Sequence, residues 1–333
     1  MKKVWIHMGY PKCFSTSLQT LFFANHPEID YGGVGIGDHI SYANKDLEFV
    51  FESLLQHAHH SFYKRHLKEA KETIDNFVSQ SQNTAVFSLE TLIFPFSSLD
   101  LETILARMQQ LFEGYEINLL LVFREQYGFL KSLYGEFVRM GYPETFSKYI
   151  QWVWGYRDRN FWELMDYSHI FNLLTERFGD EKVHIHFFET FKKDPETLIN
   201  QKLSKTLQIS NKQLPIWNEY PSLKETELAN LLHINQQFPR GMGEHVLYPF
   251  LNHHNRVILS RLEAGYTNEE IFENVLSKRL AMVKMNRIPQ QPSENIFTLY
   301  SPSDAIFEKM GSAWKTSNSQ LAQRMPNVPK NYL

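Results

Sequence analysis

Four short apolar runs punctuate the first two thirds of this chain: Val4–Met8, Thr84–Leu89, Asn118–Phe123 and Val183–Phe188. Each is rich in Val, Ile, Leu or Phe and bounded by polar or glycine-containing sequence, so each reads as a strand buried on both faces. The sequence between them has helical periodicity; within 46–81, for example, Leu47, Val50, Phe51, Leu54 and Leu55 fall on one apolar stripe. Strands separated by helices pair in parallel through crossovers, and the helices cover both faces of the sheet. The expected fold class is therefore α/β, three-layered, with a central mainly parallel sheet. Gly179, just before the last run, is placed as a helix stop. Residues 30–45 are glycine-rich and polar and read as a loop. From about 210 onward the pattern is helical and polar, interrupted by prolines at 215, 221, 239, 249, 289 and 292. A single domain over 1–333 is expected, with a core of about 3–210 and a helical C-terminal part of about 211–333.

Charge narrows the partners. Lys and Arg number 34 against 37 Asp and Glu, a formal charge of -3. So balanced a chain argues against nucleic acid as a partner, because a phosphate backbone demands a basic face. A small anion needs only a local cluster of donors. Cys13 is the single cysteine, so no intrachain disulfide and no cysteine-based zinc site is expected, and a free thiol suits a reducing cytosol. No secretory leader is read at Met1-Lys2-Lys3, and no stretch approaches the roughly 18 apolar residues of a membrane span. The expected location is cytoplasmic.

In open α/β sheets ligands bind at the carboxyl ends of the strands, where a helix N-terminus attracts anions. Gly9–Ser17 occupies such a place, between the first strand and a helical pattern at Leu18, Leu21 and Phe22. Laid over the Walker A pattern G-x-x-x-x-G-K-[ST], Gly9 and Thr16 match, Phe14 replaces the second glycine and Ser15 replaces the lysine. The cation sits at Lys12 instead. A P-loop-like fold with a displaced lysine remains, or, more plainly, a basic turn before a helix.

Gly9-Tyr10-Pro11-Lys12-Cys13-Phe14-Ser15-Thr16-Ser17-Leu18-Gln19 resembles the 5′-phosphosulfate loop of sulfotransferases that use 3′-phosphoadenosine 5′-phosphosulfate (PAPS), especially bacterial and carbohydrate-type members. The resemblance implies that Lys12 meets the bridging oxygen and leaving phosphate. It implies too that Thr16, Ser17 and the amides of Cys13, Phe14 and Ser15 hold the 5′-phosphate. Phe14 departs from the family, which has glycine there. A second motif agrees in order and distance: Leu120-Leu121-Val122-Phe123-Arg124-Glu125-Gln126, with Ser132 eight residues after Arg124, is similar to the family's 3′-phosphate pair. An arginine can hold a phosphate through two parallel donors. Alone, Arg124 would read as a surface partner of Glu125 and Ser132 as a small helix residue. Asp166–Gly179, Val183–Glu189 and Ser317–Ala322 resemble outer features of the same family.

An alcohol is a poor nucleophile until it loses its proton, so sulfuryl transfer calls for a base. Glu90, in Ser88-Leu89-Glu90, resembles the base of carbohydrate-type members; its plainer role is to favour the start of the next helix. His7, ending the first strand, is the alternative base, or a hydrogen-bonded core histidine. His57-Ala58-His59-His60 has no nearby acidic or cysteine ligand to complete a metal site, and no metal is expected. Trp152, Trp154, Tyr156, Phe161 and Trp162 suit stacking on sugar rings or ordinary packing. The resemblance implies PAPS as cosubstrate, 3′,5′-ADP as product, and a small-molecule or glycan hydroxyl or amine as acceptor. Two other readings stay open: a P-loop kinase or ATPase, and a non-catalytic nucleotide-binding protein.

Overall fold

The computed structural model describes residues 1–34, 41–89, 92–93, 99–139, 141–157, 160–216, 224–237 and 304–333. They form two compact units, one of Met1–Glu125, Tyr167–Tyr220 and Asn318–Leu333, the other of Gln126–Asp166 and Pro221–Ser317.

The first unit holds a six-stranded sheet of order β3-β2-β4-β1-β5-β6. Its strands are β1 (Lys3–Met8), β2 (Ile29–Val34), β3 (Ser41–Tyr42), β4 (Thr84–Leu89), β5 (Glu116–Phe123) and β6 (Val183–Phe187). All neighbours pair in parallel except β3, which runs antiparallel on the edge of β2. This is the α/β architecture with a mainly parallel central sheet expected of the four apolar runs, each of which forms a strand. β1, β4 and β5 are buried at successive residues, which requires cover on both faces. Each fully buried Val, Leu, Ile or Phe there adds roughly 1.5–3 kcal/mol.

One reading is corrected. Residues 30–45 do not form a loop throughout, because Ile29–Val34 is β2. Its glycines disguise it. A Cβ on Gly32 would lie 2.5 Å from Cδ1 of Phe87 on the neighbouring strand, so only glycine fits the approach. Asp30, a poor strand former, accepts from the backbone and side-chain nitrogens of Asn83 at 2.8 and 3.2 Å.

Around the sheet lie α1 (Ser15–Ser17, continuing as a π-helical turn Leu18–Phe23), α2 (His60–Gln80) and α3 (Leu101–Leu111). The second unit contributes α4 (Gln126–Arg139), α5 (Phe146–Gly155) and, later in the chain, α8 (Glu225–Gln237); between them α6 (Tyr167–Phe178) and α7 (Pro195–Leu207) belong to the first. Helix α9 spans Asp304–Arg324. The stripe expected in 46–81 is buried at all five positions, on Lys45–Glu48 and the π-helical Phe49–Leu55. Gly179 stops α6 as expected, with φ at 93° and its N–H donating to Thr175 O at 2.8 Å.

The core of the second unit is aromatic. Tyr134 on α4 meets Phe146 and Tyr149 of α5 at 5.2 and 5.3 Å. Asn235 of α8 donates to Val138 O and Tyr142 O at 2.7 and 3.1 Å, fastening α8 to the end of α4. Among the described residues, no helix is long and apolar enough to cross a membrane.

Candidate functional site

Connections leave β1 toward β2 on one side of the sheet and leave β5 toward β6 on the other. The adjacent carboxyl ends of β1 and β5 therefore flank a topological switch point, where open α/β sheets place their ligands. Lys12 follows the first of these strands and Arg124 the second.

The loop after β1 is built on buried anchors. Gly9 extends the pairing, its N–H donating to Leu89 O at 3.4 Å. Tyr10, 1% exposed, meets Phe123 and Tyr167 edge-on at 5.4 and 5.8 Å. Cys13 is buried as well. Held there, the chain reverses through two left-handed residues, Lys12 at φ 63° and Phe14 at φ 64°. Turns of this kind gather backbone amides into a concave surface suited to anions. Ser15 opens α1, and Leu18 N donates back to Phe14 O at 2.8 Å. Ser15 and Ser17 are buried, whereas Lys12 and Thr16 are half-buried.

Phe14 now has a structural account. Its position takes a conformation that suits glycine, so a phenylalanine there costs about 1–2 kcal/mol. Its ring offsets that cost: it is 7% exposed and stacks on Phe188 at 4.8 Å and 29°. Phe188, read from the sequence as the end of a strand, instead begins a helical turn, Phe188–Phe191, after β6. It also receives Arg124, whose guanidinium carbon lies 4.3 Å from the ring centroid.

Arg124 is held from several sides. Its Nη1 donates to the carbonyl of Lys12 at 2.8 Å, joining the two sequence motifs directly. Its own carbonyl accepts from Tyr167 Oη at 2.5 Å, and the next amide, of Glu125, donates to Glu189 Oε1 at 3.0 Å. The simple surface pairing with Glu125 is not what the guanidinium does. Tyr167 and Phe188 look like ordinary core aromatics in the sequence, and only the fold brings them to Arg124. Glu189 enters the sequence reading only as the end of the Val183–Glu189 segment that resembles an outer feature of the family.

Ser132 lies on α4 in the second unit, 8% exposed, and its hydroxyl has no partner among the described residues. Glu90 lies outside the described residues, which end on that strand at Leu89, the register partner of Met8. His7 is in the core. It is 1% exposed, its Nδ1 lies 2.7 Å from Ser88 Oγ, and its ring is 5.4 Å from that of Phe23. Gln19 Nε2 donates to the same hydroxyl at 2.9 Å. Burial lowers the His7 imidazole to about 3, so it is neutral at ordinary pH.

His57, His59 and His60 are exposed; the first two lie in the turn leading into α2 and His60 opens that helix. Among the described residues no group of three or more His, Cys, Asp or Glu is arranged to hold a metal ion. In the second unit Trp162 stacks on Trp314 at 5.3 Å and meets Trp154 edge-on at 5.1 Å. Trp152, Trp154 and Trp162 remain half-buried and Tyr156 is 45% exposed, so part of this aromatic surface faces solvent.

No protein-family model matches the chain, and no curated protein matches it. Among solved structures it is similar to a sulfotransferase from Alicyclobacillus acidocaldarius, at 15% identity and a TM-score of 0.46, over 71% of this chain and 93% of that one. It is also similar to a mouse sulfotransferase complexed with PAP, at 14% identity and a TM-score of 0.32, over 70% of this chain and 64% of the mouse protein.

Two outcomes follow from the loop and the strand beneath it. Phe14→Gly and Phe14→Ala should both be less stable than the parent in urea unfolding, by several kcal/mol for the lost ring. The glycine variant should be the more stable of the two by about 1 kcal/mol, because it alone relieves the positive φ; the reverse order contradicts the strain argument. For His7, the unfolded chain protonates near 6.5 and the folded chain only near about 3. Between those values the unfolded state binds more protons, so stability falls as pH falls, by up to about 1.4 kcal/mol per pH unit. His7→Gln should flatten the profile by that amount, read from urea unfolding between about pH 7 and pH 4.

Proposed function

We propose that this chain is a sulfotransferase that moves a sulfuryl group from PAPS to a hydroxyl or amine of a carbohydrate-like or other small acceptor, releasing 3′,5′-ADP. The observation that carries the proposal is the 2.8 Å contact from Arg124 to the Lys12 carbonyl, which unites the two motifs at the switch point between β1 and β5. The donor set fits a nucleotide bearing phosphates at both ends of its ribose. A loop with two left-handed residues, first-turn amides of α1 and the Lys12 ammonium suit the 5′ group. The Arg124 guanidinium suits the 3′-phosphate, and Ser132 is assigned to the same phosphate on sequence spacing alone. Half-exposed tryptophans in the second unit are consistent with a sugar-like acceptor. With its one free cysteine, the protein is proposed to work in the cytoplasm.

PAPS, when bound, supplies the group transferred: the acceptor oxygen or nitrogen bonds to sulfur as the bond from sulfur to the phosphate oxygen breaks. Lys12 and the loop amides neutralise the charge that grows on the leaving phosphate, and donors fixed in advance do this without reorganising. Glu90 takes the acceptor proton. His7, buried and held to Ser88, is proposed to support the strand rather than to act as the base. No metal is needed in this scheme, because lysine and amides do its work.

Two substitutions test the assignment in one set of assays. Arg124→Ala should abolish most of the preference for 3′,5′-ADP over 5′-AMP measured by calorimetry, a loss of about 2–4 kcal/mol. Glu90→Gln should keep 3′,5′-ADP affinity within a few-fold while turnover of labelled PAPS falls about a hundredfold or more. Equal affinity of the parent protein for the two nucleotides removes the Arg124 assignment. Near-normal turnover of Glu90→Gln removes Glu90 as the base.

A further inference from the structure

The segment following α9 packs against the sheet end that carries Arg124. Arg324, closing α9, grips both carboxylate oxygens of Asp180 at 2.7 and 2.6 Å. Asn318, 1% exposed, donates its amide to the carbonyl of Tyr332 at 2.8 Å. Tyr332 is thereby fixed at 4% exposure, its ring edge-on to Phe187, the last residue of β6, at 5.2 Å. Its hydroxyl donates to Glu189 Oε2 at 2.6 Å. The other oxygen of that carboxylate accepts the Glu125 amide at 3.0 Å. Burial holds the Tyr332 phenol well above its ordinary range, so the hydroxyl keeps its proton and remains a donor.

We infer that Tyr332 is a positioning residue for the 3′-phosphate: by orienting Glu189 it fixes the Glu125 amide and with it the backbone from which Arg124 projects. The specific ligand in this statement rests on the proposed sulfotransferase function. A glutamate has several rotatable bonds, and holding only one of its oxygens leaves the side chain free to swing. With the Tyr332 bond in place both oxygens are engaged. The backbone at 124–125 is then pinned on both sides of one peptide, through Tyr167 on the carbonyl and Glu189 on the amide. Misplacement of a binding group by about 1 Å is enough to cost a large part of its effect. Tyr332 touches no ligand in this account; it acts through Glu189 and Arg124.

Tyr332→Phe keeps the packed ring and removes only the hydroxyl. Calorimetry on the full chain should show 3′,5′-ADP binding weakened about five- to tenfold, the size of one hydrogen bond's ordinary net contribution. Binding of 5′-AMP should change less than about twofold, because it lacks the phosphate that Arg124 reads. Glu189→Gln should have the same selective effect, and the double variant should be no weaker than the worse single one, as for residues acting in series. Parallel loss of both nucleotides, or loss of neither, overturns the inference. If the unmodified protein binds neither nucleotide, the proposed function fails, and hydrogen exchange at the Glu125 amide reads the relay by itself. Exchange about tenfold faster in Tyr332→Phe than in the parent supports the relay; unchanged exchange overturns it.

Discussion

A guanidinium that donates to a backbone carbonyl across a sheet crevice can hold two loops in one register. Arg124 does so with Lys12. The loop after β1 has no secondary structure of its own between Gly9 and Ser15, and it contains two residues at positive φ, a conformation that persists only when its surroundings impose it. Tyr10 imposes it from beneath, packed on Phe123 and Tyr167, and Phe14 from the side, stacked on Phe188. Arg124 completes the set by taking up the Lys12 carbonyl and lying over the same Phe188 ring. Without that contact the loop would keep its aromatic anchors and lose its hydrogen bond to the residue that follows β5.

Much of this was legible in the sequence, for identifiable reasons. Strands buried on both faces leave continuous apolar runs, and β1, β4, β5 and β6 were readable from them to within about two residues at each end. β2 was hidden because its pattern is carried by Gly32 and Gly33, and the need for glycine there comes from Phe87, more than fifty residues away. The loop after β1 and the Arg124 segment stood out in the sequence through a family resemblance. Their joining did not, since a guanidinium donating to a main-chain carbonyl leaves no mark on the residue that accepts. Phe14 shows the same limit. From sequence it was a departure from glycine; in the fold it is a left-handed residue whose ring finds Phe188.

Aromatic side chains carry an unusual share of this organisation. Phe123 and Tyr167 stack at 4.1 Å and 7°, and the hydroxyl of the same tyrosine takes the Arg124 carbonyl. Tyr332 likewise presents an apolar ring to Phe187 and a donor to Glu189. Tyrosine suits such places because one end packs while the other satisfies a buried acceptor. These residues therefore link the packing of the sheet to the polar groups at its carboxyl end.

The central claim is that the loop and Arg124 form one site for a nucleotide with a 3′-phosphate, not for a metal-bound triphosphate. Thermal unfolding of the unmodified protein with 3′,5′-ADP, or with ATP and Mg²⁺, tests it most directly. A ligand at a hundred times its dissociation constant stabilises the folded state by about 2.7 kcal/mol. The account predicts a rise of several degrees in Tm with 3′,5′-ADP and little change with ATP and Mg²⁺. A rise with ATP and Mg²⁺ and none with 3′,5′-ADP would contradict it.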